Sequence, residues 1–244
     1  MAVCLAGLAG QVPSAVAAPA WLDFRLKEKS RPAVPVAHYA VATGGGFVLD
    51  RGGARPILRF DDNPEVWLLR SARGPRGDEI LADDLGGPLL RINRLGGVTV
   101  FTSRHPEGSA AALEGPAGPL RLPRLDASAL YQRLVAASAR ASRAAQRLIA
   151  FQALDVDADS AGLIADAVLV ATESVVQLAA SPGGRQRLSR IARFDFTRGR
   201  SADVRFEGGV IHVAVAPDAG PGERPSSARI RQTILQGDRH PPGP

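Results

Sequence analysis

The feature that most constrains this chain is a series of turn residues between Val36 and Leu113, recurring about every ten positions. Thr43-Gly44-Gly45-Gly46, Arg51-Gly52-Gly53, Asp61-Asp62-Asn63-Pro64, Gly74-Pro75-Arg76-Gly77, Leu85-Gly86-Gly87 and Leu95-Gly96-Gly97 cut this stretch into segments too short for helices. Within a segment apolar and polar residues alternate, as in Val98-Thr99-Val100, which makes a strand with one apolar face. Short strands joined by tight turns pair with their neighbours in sequence. The expectation is an antiparallel β-meander, folded as a sandwich or a small barrel, with its apolar face covered.

After a Gly- and Pro-rich connector (Glu114 to Arg124) the period changes from two to about 3.6. Leu130, Leu134, Ala137, Ala141, Leu148 and Phe151 predict a helix from Ala127 to about Ala153, with Asp126 as N-cap. A second helix is predicted from about Ser160 to Ala180, ended by Ser181-Pro182-Gly183-Gly184, and a short basic third from Arg185 to Arg193. Ala202–Glu207 and Val210–Ala216 flank Gly208-Gly209, the strongest hairpin signal in the chain because both glycines can take positive φ. Ser226 to Leu235 reads as a last helix, and 237–244 as a disordered tail. The fold class is therefore α+β: the meander packed with an antiparallel helical hairpin and a C-terminal β-hairpin joining or extending the sheet. Residues 36–113 form the strand-rich region and 126–236 the helical and hairpin region, together one domain.

Charge supports the pairing of the first two helices. Arg133, Arg140 and Arg147 are seven apart, as are Asp159, Asp166 and Glu173, and residues seven apart share a helix face. Two registers are open, one pairing Arg140 with Asp166 and one pairing Arg140 with Glu173. Exposed pairs contribute about 0.2–1 kcal/mol each, so they select a register rather than hold a fold.

Met1 to Ala20 carries no charged side chain. Its apolar run and the small-x-small sequence Ala15-Val16-Ala17 predict a secretory signal peptide, residues 1–17, cleaved after Ala17. It departs from the usual pattern in having no basic residue at its start. The expected location is periplasmic or secreted. Cys4 is the only cysteine, so the cleaved chain would carry no thiol chemistry and no thiolate metal site.

Chemical motifs are sparse. Asp61-Asp62-Asn63 and Asp83-Asp84 could supply paired carboxylates, with Asp61, Asp62 and Asp83 the candidates, yet both clusters sit in predicted turns, where Asp and Asn bond their own backbone. Asp155-Val156-Asp157-Ala158-Asp159 resembles the start of a calcium loop, but Ser160 stands where that loop needs Gly. His38, His105, His212 and His240 are scattered, without a metal-binding spacing. His212 is placed on the solvent side of its strand. No Gly-x-Ser-x-Gly elbow is present, and the glycine pairs lack the context of a phosphate loop. No cofactor and no metal are expected, and no catalytic residue is assigned.

The formal net charge is +6, but arginine is interleaved with acids along the chain, and Lys27 and Lys29 are the only lysines. Aromatics make up 5%, too few for a base-stacking platform, so nucleic acid is not an expected partner. The densest basic patch, Arg185, Arg187, Arg190 and Arg193, could meet an anionic membrane surface.

The block from Pro56 to Thr102 (PILRFDDNPEVWLLRSARGPRGDEILADDLGGPLLRINRLGGVTVFT) carries a resemblance. Its landmarks are Phe60 to Val66, Arg76-Gly77-Asp78 and Arg94-Leu95-Gly96-Gly97-Val98-Thr99, with Pro182-Gly183-Gly184-Arg185 and Gly208-Gly209 later. These resemble an uncharacterised family of exported alphaproteobacterial proteins, a domain of unknown function. The resemblance implies no activity and no site residue. The expectation is an exported, envelope-associated binding or structural module without enzymatic activity, its partner an envelope protein or ligand. The alternatives are an exported carboxylate-dependent hydrolase and a membrane-surface protein using the basic third helix.

Overall fold

A computed structural model of the chain describes residues 35–121, 125–219 and 222–237. The expected signal segment and the tail beyond Gly237 lie outside the described residues. Nine strands follow one another without a helix: β1 (Val36–Val41), β2 (Gly46–Asp50), β3 (Ile57–Phe60), β4 (Val66–Leu68), β5 (Arg70–Arg73), β6 (Glu79–Ala82), β7 (Pro88–Ile92), β8 (Val98–Val100) and β9 (Ser109–Pro116). They form one antiparallel sheet in the order β4-β3-β2-β1-β9-β8-β7-β6-β5.

That order puts β4 and β5 at opposite edges, although only Leu69 separates them in the chain. With strands about 4.8 Å apart, one residue cannot cross a flat sheet of this width. The sheet is therefore rolled until its edges meet. The Leu69 N–H donates to the Pro56 carbonyl at 2.8 Å, so β4, Leu69 and β5 make one bent strand that leaves β3 for β6. The meander thus takes the form of a small barrel, with β1 against β9 as the one pairing not between sequence neighbours.

A barrel of about eight strand positions is just wide enough for side chains to fill. Phe47, Leu49, Leu58, Leu69, Leu81, Leu90 and Val100 are buried inside. Tyr39, Phe47, Phe60 and Trp67 pack across successive strands, the first pair stacked and the next two edge to face, with ring centres 5.2, 6.0 and 5.4 Å apart. Arg51 Nη2 lies 2.8 Å from Glu79 Oε2, tying the end of β2 to the start of β6.

The second layer holds α1 (Ala127–Ala145), β10 (Ala150–Leu154), α2 (Ala161–Ala180), α3 (Gly184–Leu188), β11 (Arg193–Arg198), β12 (Asp203–Glu207), β13 (Val210–Val215) and α4 (Ser227–Gln236). β10, β11 and β13 are parallel and β12 is antiparallel to β13, in the order β10-β11-β13-β12. One face of this sheet presents Phe151, Phe194, Phe196, Ile211 and Val213 to α1 and α2. α2 is apolar enough and long enough to span a membrane, but 67% of its most apolar window is buried, as in the central helix of a core.

Three expectations are corrected. The first helix ends at Ala145, where Gln146 turns left-handed (φ 57°), and Ala150–Leu154 is a strand. α1 and α2 still pack together as the expected helical hairpin, with β10 between them in the chain. The third helix stops at Leu188, and Arg193 opens β11, a strand the sequence reading passed over. The Gly208-Gly209 hairpin belongs to the second sheet, not to the meander.

Candidate functional site

The two layers meet around α4. Its N-cap Ser226 accepts from the Arg229 N–H at 3.1 Å. Two barrel carboxylates take the N–H groups that the start of a helix leaves unpaired. Glu65, before β4, accepts from the Ser227 N–H at 2.9 Å, and Asp84, in the β6–β7 turn, accepts through Oδ2 from the Ser226 N–H at 3.0 Å. Arg224 is buried beside them. It donates from Nε to Asp166 of α2 and from Nη2 to the Val66 carbonyl at 2.8 Å, and its Nη1 lies 3.6 Å from Glu65 Oε1. Burial raises the Glu65 pKa above the ordinary carboxylate range, against the lowering effects of Arg224 and the Ser227 hydrogen bonds.

This anchoring leaves a polar groove of about 590 Å³ between the β6–β7 turn, the edge strand β12 and the exposed side of α4. Asp84 is among its lining residues, and Asp84 Oδ1 is a buried oxygen with no hydrogen-bond partner. Asp203 faces Arg205 at 3.3 Å and Arg229 at 3.7 Å. Glu207, Gln232 and Gln236 add further polar groups to the lining. Thr233 spends its hydroxyl on the Arg229 carbonyl at 3.1 Å. The groove offers acceptors, two amides and two guanidinium groups, all capable of hydrogen bonding. It lies at a junction of two layers, a common place for such sites.

The family described as Domain of unknown function (DUF4908) matches residues 21–234. The chain belongs to this family. No curated protein and no solved structure matches the chain.

Membership agrees with the resemblance carried by Pro56 to Thr102 and assigns no activity. The sequence-predicted carboxylates do not converge. Asp61 contacts His38 Nε2 at 2.9 Å on the outside of the barrel, while Glu114 contacts His38 Nδ1 at 2.7 Å. Gly46 makes room for this contact, since a Cβ there would stand 2.6 Å from Asp61 Oδ2. The His38 pKa is raised, chiefly by the Asp61 hydrogen bond. Asp62 is exposed in the same turn, and Asp83 accepts from the Leu85 and Gly87 N–H groups of its own turn.

The calcium-like run is also dispersed. Asp157 bonds Ser160 and Arg198, which hold its pKa down to about 2, and Asp166 bonds Arg224. Among the described residues no group of His, Cys, Asp and Glu is arranged to hold a metal ion. His212 stands on the polar sheet face, 4.0 Å from the buried Asp195. Of the paired stripes one bond forms, Arg140 to Glu173 at 2.8 Å, because Asp166 goes to Arg224 and Arg147 lies past the end of α1. Sequence reasoning missed Glu65, Arg224 and Asp203. Its only signal was Asp84, read as half of a turn pair.

Proposed function

We propose that the protein is an exported binding module of the cell envelope, without enzymatic activity of its own, that holds a polar ligand in the groove between the β6–β7 turn, β12 and α4. The observation that carries this reading is the set of hydrogen-bonding side chains lining the groove, Asp84, Asp203, Arg205, Glu207, Arg229 and Gln232, with Asp84 Oδ1 a buried acceptor that has no hydrogen-bond partner. An unpaired buried acceptor is costly, and a donor on a ligand would remove that cost. Export is supported by the apolar start and the Ala15-Val16-Ala17 sequence. The Glu207 and Gln232 side chains line the groove with no hydrogen bond or ion pair to another side chain among the described residues, and they are the residues to test.

The experiment is native mass spectrometry of the protein recovered from its own envelope fraction. The expected result is a chain lacking residues 1–17 that carries a small-molecule adduct, with the adduct absent from the Glu207→Ala and Gln232→Ala variants. A bare wild-type chain, or an adduct indifferent to both substitutions, overturns the reading. A second reading, contact with an anionic membrane surface, is favoured by Arg185, Arg187 and Arg190, which are all exposed and carry no ion pair among the described residues. Flotation on vesicles with and without anionic lipid, repeated with all three arginines replaced by Gln, tests it. Equal flotation in each case counts against it.

A further inference from the structure

The two edges of the four-stranded sheet are built differently. β12 carries Asp203, Arg205 and Glu207, the kind of charge that keeps an edge from pairing with another chain. β10 reads Ala-Phe-Gln-Ala-Leu, with no charge and no proline. Among the described residues it pairs only with β11. The Ala150 N–H donates to the Ala192 carbonyl at 3.0 Å, so Ala150, Gln152 and Leu154 turn their backbone polar groups toward β11. By the period of two, Phe151 and Ala153 turn theirs outward. One residue earlier the edge is already covered. The Ile149 N–H donates to Ser142 Oγ at 3.0 Å and its carbonyl accepts from Ser138 Oγ at 2.8 Å. α1 thus closes the edge up to Ile149 and leaves it open at β10.

Apolar surface gathers at the same place. Of the nine exposed large apolar side chains among the described residues, Tyr131, Val135, Leu148, Leu154 and Val156 lie on α1 or along β10 and its flanks. Leu148 is 75% exposed, Tyr131 68% and Val135 51%. They border a largely apolar groove of about 600 Å³ between α1 and β10. The charges flanking the strand are segregated. Arg143 and Arg147 precede it and Asp155 follows it, none with an ion-pair partner among the described residues.

We propose that this edge is the interface with a second copy of the chain, joined by antiparallel pairing of β10 with β10 about a two-fold axis at Gln152. In this register Phe151 of each copy faces Ala153 of the other, and each such pair exchanges two hydrogen bonds through the outward backbone groups. Shifting the axis to residue 151 or 153 sets one open group against a residue outside that set, Ile149 or Asp155. Leu154 falls opposite Ala150 of the second copy, and the exposed Leu148 and Val156 flank the two ends of the paired strands. Arg147, just before the strand, comes to the end of the second copy's strand that the unpaired Asp155 follows. The basic end of one edge therefore meets the acidic end of the other, which is the complementarity a self-matching interface requires. On the helix side Tyr131 and Val135 of each copy enter the groove of the other, past the small residues Ser138, Ala139 and Ser142. The two sheets become one continuous sheet, and the uncharged edge disappears.

Sedimentation velocity on the full chain tests the proposal. The wild type sediments as a dimer that dissociates on dilution. Ala153→Pro removes an outward N–H without touching the β11 ladder, so it yields a monomer with unchanged circular dichroism and thermal midpoint. Arg147→Glu raises the dimer dissociation constant about tenfold or more, and adding Asp155→Asn recovers part of that loss. Gln152→Cys in a Cys4→Ser background places two thiols on the axis and gives a disulfide-linked dimer under mild oxidation. Arg205→Cys, on the charged edge, does not. A wild type that stays monomeric at all concentrations overturns the proposal, as does a dimer that survives Ala153→Pro, or cross-linking through residue 152 no faster than through residue 205.

Discussion

Glu65 and Ser227 are 162 positions apart in the chain, yet the Glu65 carboxylate accepts the Ser227 N–H at 2.9 Å and so caps α4 from the barrel. The same carboxylate faces Arg224. Removing one partner of a buried charged cluster leaves the others uncompensated. Glu65→Ala should therefore lower stability by roughly 3–5 kcal/mol, read by urea denaturation. Glu65→Gln keeps an acceptor for Ser227 and should cost less. Equal losses for the two variants would place the effect in packing instead.

Glu65 also sets a pH dependence. Its folded-state pKa is raised, mainly by burial, so the folded protein holds this proton more tightly than the unfolded chain does. The resulting contribution to stability is full below the ordinary glutamate pKa of 4.5 and is lost as pH rises through the raised value. Relative to Glu65→Gln, the wild type should lose stability over that window and hold a constant difference above it. Paired denaturation curves across the acidic to neutral range check this, and a wild type that gains stability relative to Glu65→Gln as pH rises would contradict it.

Leu69 is the residue on which closure of the barrel depends. It joins the two edge strands and is fully buried. Leu69→Ala should cost about 2–5 kcal/mol, the range for deleting a buried leucine side chain. Leu95→Ala, at a position 87% exposed in the β7–β8 turn, should stay within about 0.5 kcal/mol. Similar losses at the two positions would mean that the barrel does not close through Leu69.

The barrel was legible because its strands pair with sequence neighbours. Turn residues such as Asp83-Asp84-Leu85-Gly86-Gly87 mark each reversal, and alternation marks each inward face. The second sheet was not legible to the same degree. Leu148 and Phe151 continue the three-to-four spacing of α1, so nothing local separates β10 from the helix. The left-handed residue that ends the helix is Gln146, where glycine would have been a signal. β11 alternates through Phe194 and Phe196 but is short and flanked by arginines, and its partners come from distant segments. The candidate groove depends on such distant contacts. Asp84, Asp203 and Gln232 come from three separate elements, and no local pattern records which of them will meet.

The contact between His38 and Asp61 gives the last prediction. Asp61 is the largest influence raising the His38 pKa, with Glu114 a smaller one. Asp61→Asn should bring the His38 pKa down toward the ordinary 6.5, while Glu114→Gln should move it less, both followed by NMR titration of the ring. Because the folded-state value is raised, whatever stability the pair contributes is full below 6.5 and fades as pH rises through the folded value. Gly46→Ala approaches the same contact from the backbone. Its new Cβ would meet Asp61 Oδ2 at 2.6 Å, His38 Cε1 at 2.8 Å and the Tyr39 carbonyl at 2.7 Å. The side chains can swing away but the carbonyl cannot. Gly46→Ala should therefore lower the His38 pKa and also destabilise the barrel by about 1–3 kcal/mol, a loss that Asp61→Asn alone does not reproduce. A Gly46→Ala protein with wild-type stability and an unchanged His38 titration would show that Gly46 does not hold this contact in place.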